Sequence, residues 1–305
     1  MLLTLCALRE QYRLYYLNIR NVCADTAKDR LRYLDILFDY FGLPQTATEL
    51  CTDLTPVALT EFLIDYSKRH GPGARHGMYT TVRGLLRFLY EEQYLSGDLS
   101  GLVPSVRQRT LSGLPRALPS SCICALEESI DSRCSAGLRD SAIICLLSTY
   151  GVRGVQIRRL RFENIDWQNE RIHFSPAKRG RPIEQHLTAK AGNRLADYIS
   201  KGRPSSDLPE VFLTLTRAAT KLGKTCLPVM IRRRLQRSEI PVPEGVSQGT
   251  HGFRHAFAVR MTGQVSFKEV VDMLGHRDPS STLIYAKADV QTLQQAALPW
   301  PGGAL

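Results

Sequence analysis

A chain of 305 residues, 43% apolar and 23% charged, is long enough for two domains of ordinary size and has the balance of a soluble globular protein. The net charge of +11 is uneven: residues 1–110 carry 13 Lys/Arg against 12 Asp/Glu, and residues 111–305 carry 27 against 17. That asymmetry points to a polyanion held mainly by the second part. The eight cysteines (6, 23, 51, 122, 124, 134, 145 and 226) form no Cys-x-x-Cys pair. They imply a reducing cytosol, with no disulfide framework and no zinc site. Met1–Leu8 is apolar but lacks a basic lead and is followed by Arg9 and Glu10, too short a run for a signal or membrane segment.

In chain order, residues 4–41 read as helical, with an apolar stripe at Leu31, Leu34, Ile36, Leu37 and Phe41 that Gly42-Leu43-Pro44 ends. A second helix is predicted at 56–69, with Thr55 as N-cap and Pro56 at the first position. The segment 71–77 reads as a loop, and a third helix is predicted at 75–94. Arg83 and Arg87, four apart, lie opposite the core face of that helix. They suit either a solvated face or phosphate contact. Composition then shifts over 96–119, where Arg107 and Arg109 lie in a Gly-, Ser- and Pro-rich interdomain stretch.

Helix is expected again over 121–150. Asn164–Trp167, Arg171–Phe174 and Ile183–Leu187 then predict a small antiparallel sheet. The last two strands flank a turn carrying Lys178, Arg179 and Arg181. Helices are predicted near 190–201, 217–222, 228–238, 251–263, 266–275 and 281–295, and Ser266 with Glu269 forms a capping box. The expected architecture is mainly α with a small antiparallel sheet.

The residues able to carry chemistry are Arg153 after Tyr150-Gly151, Lys178 in the turn, His251 and Arg254, His276 after Leu274-Gly275, and Tyr285. His251 and Arg254 are three apart and share one face of a helix. Arg binds two phosphate oxygens with a permanent charge, and His moves protons near neutral pH. Each motif alone is commoner as ordinary helix surface. Gly223-Lys224-Thr225 ends like a phosphate-binding loop, but Ala218 stands where that loop needs glycine.

Taken in order, these motifs resemble the tyrosine site-specific recombinases, the group of the lambda integrase and the Xer-like enzymes. The resemblance covers nearly the whole chain and is specific in its second half. It implies a helical core-binding domain at 1–110, a linker at 111–119, an α+β catalytic domain at 120–290 and a tail at 291–305 available to a neighbouring protomer. It also implies DNA cleavage and rejoining through a covalent 3′-phosphotyrosine, with neither metal nor ATP. Carried over by position, Arg153 and Arg254 are the catalytic arginines, His276 joins them on the phosphate, and His251 takes the phenol proton. Lys178 protonates the departing 5′-oxygen, with Arg179 and Arg181 as alternatives to it, and Tyr285 is the nucleophile. Arg83, Arg87, Arg107, Arg109 and Arg179 are candidate DNA contacts.

The implied partners are double-stranded DNA with specific sites and three further protomers in a synaptic tetramer. Off DNA the chain is expected to be a monomer or weak dimer, cytoplasmic and associated with the bacterial nucleoid. A non-catalytic architectural relative is the alternative; a metal-dependent transposase is disfavoured, because none of the proposed site residues is acidic. One departure stands out: Gln156 occupies the position where the family usually has Glu; it can still hydrogen-bond but brings no charge, which predicts weaker support for the neighbouring sheet without loss of a catalytic group.

Overall fold

The computed structural model describes residues 3–105, 117–177, 180–277 and 282–283. Two compact units divide the chain, Met1–Arg109 and Thr110–Leu305.

In the first unit the helical start is two helices rather than one. Helix α1 (Leu5–Leu14) runs into a π turn, Tyr15–Ile19, and α2 (Ala24–Tyr40) begins after a break. Asn21 sits at that break with φ 47°, the left-handed region that Asn tolerates better than most side chains. Helix α3 (Ala47–Asp53), capped by Thr46 Oγ1 accepting from the Glu49 N–H, was not expected, being too short to show a period. Helix α4 (Pro56–Arg69) has the predicted Pro56 start, and Thr55 Oγ1 accepts from the Ala58 N–H at 3.2 Å.

Helix α5 (Pro72–Glu91) takes in most of the expected loop. Pro72 occupies the first turn, where its missing N–H costs nothing. Gly77 is a packing glycine, because a Cβ there would lie 2.5 Å from Tyr33 Oη. Leu8, Leu34, Leu59, Leu85, Leu86 and Leu89 are fully buried in one core with Tyr12, whose hydroxyl donates to the Thr81 carbonyl. The Gly- and Ser-rich stretch after α5 is not free chain throughout. Arg83 Nη2 donates to the carbonyls of Val103 (2.9 Å) and Pro104 (3.0 Å), pinning residues 103–104 to α5, while Arg87 is exposed.

In the second unit α6 (Ser120–Glu128) and α7 (Ser135–Tyr150) are separate, with residues 129–134 between them. Every residue from Ala142 to Leu147 is buried, so α7 is a central helix covered on all sides. A short α8 (Gly154–Arg158) leads to the antiparallel sheet β1 (Ile165–Asp166), β2 (Arg171–Phe174) and β3 (Ile183–His186), in that order. The register pairs Ile165 with Ile172 and Phe174 with Ile183, and these four side chains are buried in the core of the unit.

Helices α9 (Ala189–Asp197), α10 (Cys226–Arg237), α11 (Thr250–Thr262) and α12 (Phe267–Met273) follow. The helix expected at 217–222 is instead a turn: Thr214 Oγ1 accepts from the Thr220 N–H at 2.9 Å, a side chain replacing the helical bond. Buried Asp140 on α7 receives Arg139 at 2.9 Å and Arg234 of α10 at 2.8 Å, joining the two helices. The architecture is mainly helical with a small antiparallel sheet, as the sequence predicts. No described helix is long and apolar enough to cross a membrane. The predicted helix at 281–295 and the tail 291–305 lie outside the described residues, apart from 282–283.

Candidate active site

Two chain reversals meet at Arg254, and a third is bonded to the second of them. The first is the end of α7, where Gly151 takes the left-handed conformation (φ 59°) and its N–H donates to the Leu147 carbonyl. A Cβ at Gly151 would stand 2.4 Å from the Phe257 ring on α11, so glycine is required for space as well as for conformation. The second is the end of α12. Gly275 (φ 61°) donates to the Asp272 carbonyl and the His276 N–H donates to the Val271 carbonyl, the two-bond Schellman closure of a helix. This gives the Leu-Gly-His motif a physical reason: glycine turns the chain and His276 is the first residue out of the turn. The third is the β2–β3 turn, where the Gly180 N–H donates to the Ala177 carbonyl and the Arg181 N–H to the Gly275 carbonyl.

Arg254 is 4% exposed in the second turn of α11. Its Nη1 donates to the Gly151 carbonyl at 2.9 Å and its Nη2 to the Leu274 carbonyl at 2.8 Å. Nη2 also lies 2.6 Å from His276 Nε2. A guanidinium can only donate, so Nε2 accepts and the ring proton sits on Nδ1. That proton is donated to Thr282 Oγ1 at 2.6 Å. Thr282 is fully buried and His276 nearly so. The result is a directed chain, Arg254 to His276 to Thr282, three residues before Tyr285.

Arg153 is half-buried at the N-cap of α8. Its guanidinium lies against the β2–β3 turn, with Nη1 3.6 Å from where a Cβ on Gly180 would stand. His251 is exposed in the first turn of α11, one turn from His255, with ring centroids 6.4 Å apart. The structure therefore brings Arg153, Arg254, His276 and the ends of the Lys178 turn into one region, and places His251 on the helix that carries Arg254. Lys178, Arg179 and Tyr285, with Arg107 and Arg109, lie outside the described residues. Arg181 pairs with Asp272 at 4.0 Å. Among the described residues no group of three or more His, Cys, Asp or Glu could hold a metal ion.

Thr282, Gly151 and Gly275 are supporting residues that motif reading did not single out for a role in the site. Gln156, the departure from the family's usual Glu, makes two hydrogen bonds. Its Oε1 accepts from the Arg153 N–H and its Nε2 donates to the Ser175 carbonyl, both at 3.0 Å, so it supports the sheet directly.

Two predictions arise from this geometry. Gly275→Ala should destabilise the chain by about 2–3 kcal/mol, because an L residue pays for the left-handed turn and its Cβ meets Ile183 Cγ1 at 2.8 Å. The thermal midpoint should fall by roughly 5–10 °C, while Gly263→Ala, at an open site with ordinary φ, should not lower it. Equal midpoints for the two variants would contradict the turn's role.

The second concerns His255, whose pKa is held below its ordinary 6.5 by burial, and further by His251 and Arg254. A depressed folded pKa means the neutral ring's contribution is present above about pH 6.5 and is lost as pH falls through the folded value. Thermal midpoints measured from pH 7.5 to 5.5 should fall more steeply for the native chain than for His255→Gln; parallel curves would rule this out.

Comparison with known proteins agrees with the geometry. Residues 123–292 match the Phage integrase family. Over 302 residues the chain is 32% identical to a protein of Sinorhizobium fredii (strain NBRC 101917 / NGR234) named as the integrase/recombinase y4rA, covering 98% of this chain and 72% of that one. It is 27% identical over 209 residues to the tyrosine recombinase XerD of Ralstonia nicotianae, covering 68% of this chain and 66% of that one. In fold it is similar to the XerH recombinase in a post-cleavage complex with its difH substrate (TM-score 0.71, 18% identity, 94% of this chain and 83% of that one). A lambda integrase dimer bound to a COC′ core site is equally similar (TM-score 0.71, 16% identity, 100% and 81%). The chain is thus a member of the phage integrase family, the tyrosine recombinases.

Proposed function

We propose that this chain cuts and rejoins double-stranded DNA at specific sites through a 3′-phosphotyrosine intermediate. The observation that carries the reading is the convergence of Arg153, buried Arg254 and His276 with the ends of the Lys178 turn on one region, His276 standing nine residues upstream of a tyrosine. Arg153 and Arg254 hold the scissile phosphate and offset the charge growing on its oxygens. His276 lends a third contact by exchanging its bond with Arg254 for one donated to a phosphate oxygen. His251 accepts the phenol proton. An unperturbed tyrosine is only about one part in a thousand ionised at pH 7, so the hydroxyl needs that base or the cationic field.

The Tyr285 oxygen then bonds to phosphorus, the P–O5′ bond breaks, and Lys178 supplies the proton that leaves with the 5′-hydroxyl. The phosphodiester energy is kept in the phosphotyrosine bond, so another 5′-hydroxyl can reverse the attack on a new strand. The balance closes without an external energy source.

The unit Met1–Arg109 serves in this reading as the core-binding half of a DNA clamp, and the excess of basic residues after 110 as its main electrostatic contact. Four protomers act together, an arrangement supported by the lambda integrase tetramer bound to a Holliday junction, which this chain resembles in fold. The names of relatives such as y4rA give integration or recombination of DNA, and movement of a mobile element, in the cytoplasm, is the setting we infer for it. A duplex identified by footprinting, nicked to trap the intermediate, should yield a covalent protein–DNA adduct in EDTA. Tight binding with no adduct would favour the architectural alternative, and an adduct only with added magnesium would overturn the mechanism.

A further inference from the structure

Gln156 occupies a position whose chemistry matters because its two bonds need opposite polarity. Its side chain is 2% exposed, accepts the Arg153 N–H through Oε1 and donates to the Ser175 carbonyl through Nε2. Ser175 is the first residue beyond β2 and opens the turn that carries Lys178. At the other side of that turn the Gly180 N–H donates to the Ala177 carbonyl, and Gly180 itself lies against the Arg153 guanidinium. Arg153 is therefore tied to the start of the turn through the Gln156 amide, and its guanidinium passes near Gly180 at the other end.

We propose that Gln156 is a positioning residue that fixes the distance between Arg153 and the lysine-bearing turn by linking the start of α8 to the end of β2. The inference rests on the strand-transfer reading given above. A primary amide is the side chain that fits one donor and one acceptor at the same time. An ionised Glu, of similar length, keeps the bond from the Arg153 N–H but turns a lone pair toward the Ser175 carbonyl. Met keeps the volume and loses both bonds. The glutamine is thus matched to a carbonyl partner, and its lack of charge is what allows the second bond in a buried place.

The test uses the full chain on a footprinted, nicked duplex in EDTA, with Gln156→Glu and Gln156→Met beside the native protein. Three quantities are read: the DNA dissociation constant, the single-turnover rate of adduct formation, and amide hydrogen exchange at Arg153 and across residues 175–182. The adduct rate should fall about tenfold in Gln156→Glu and about a hundredfold in Gln156→Met, with affinity within about threefold of native. Exchange at Arg153 should stay slow in the Glu variant and quicken in the Met variant, while the turn should exchange faster in both.

A native rate in Gln156→Met, or a rate loss matched by an equal loss of affinity, would overturn the positioning role. If the native chain forms no adduct, the strand-transfer reading fails by itself and exchange still decides the tie. Retained protection in Gln156→Met then overturns it, and lost protection upholds it.

Discussion

Arg254→Ala is expected to lower DNA cleavage by about a thousandfold and stability by about 3 kcal/mol, two losses with separate causes. The stability loss comes from what the guanidinium now satisfies: the carbonyls of Gly151 and Leu274 and the Nε2 of His276, all in a buried region. Alanine leaves three acceptors without that donor, and an unmet buried acceptor costs about 1–3 kcal/mol before relaxation or water entry recovers part of it. The rate loss comes from the removal of a fixed positive charge beside the phosphate. Losing one such donor typically costs a factor of about 100–1,000. His276 would also lose the partner that sets its tautomer.

Arg254→Lys separates the two effects, because an ammonium keeps the charge but cannot spread its protons over a planar fork. It should recover part of the stability and little of the rate. Denaturant unfolding and single-turnover cleavage measured together check this. A lysine variant that cleaves at the native rate would show that charge alone suffices and that the Arg254–His276–Thr282 chain is incidental.

Tyr285→Phe is expected to abolish adduct formation, to below about 10⁻⁴ of the native rate, because the attacking oxygen is gone and nothing else can hold the 3′-phosphate. Affinity for DNA should be unchanged within about twofold, since the clamp and the phosphate contacts do not involve the phenol oxygen. The contrast with Arg254→Ala is diagnostic. One variant should fail in chemistry with binding and stability intact, and the other should fail in both chemistry and stability. A persistent adduct in Tyr285→Phe would move the nucleophile to another residue.

How far the sequence carried the structure can be judged residue by residue. Helix α4 was legible because Thr55 and Pro56 are a start signal with a local mechanism, and Ser266 with Glu269 was legible for the same reason. The sheet was legible because Ile172, Phe174 and Ile183 alternate with polar residues. The break at Asn21 was not, since no glycine or proline marks it and the backbone dihedral reveals it. The start of α5 was misplaced for a related reason: Gly71, Gly73 and Gly77 read as loop, whereas Gly77 is small so that Tyr33 can pack against it.

In the candidate site, the order of Arg153, Lys178, His251, Arg254, His276 and Tyr285 was visible through family resemblance. The bond from Gln156 to Ser175, 19 residues away, and the bond between His276 and Thr282 are tertiary facts that no local signal encodes. That Gln156 can still hydrogen-bond was legible from its chemistry, whereas its partners, the Arg153 N–H and the Ser175 carbonyl, were not.

The central claim is that strand transfer runs through Tyr285 in a site organised by Arg153, Arg254 and His276. The most direct test is to trap the adduct on a footprinted, nicked duplex in EDTA, digest the protein and identify the DNA-linked peptide by mass spectrometry. A single linked peptide containing Tyr285, joined through a 3′-phosphate, is the predicted result. Linkage to any other residue, a 5′-phosphate linkage, or tight binding with no adduct would contradict the account.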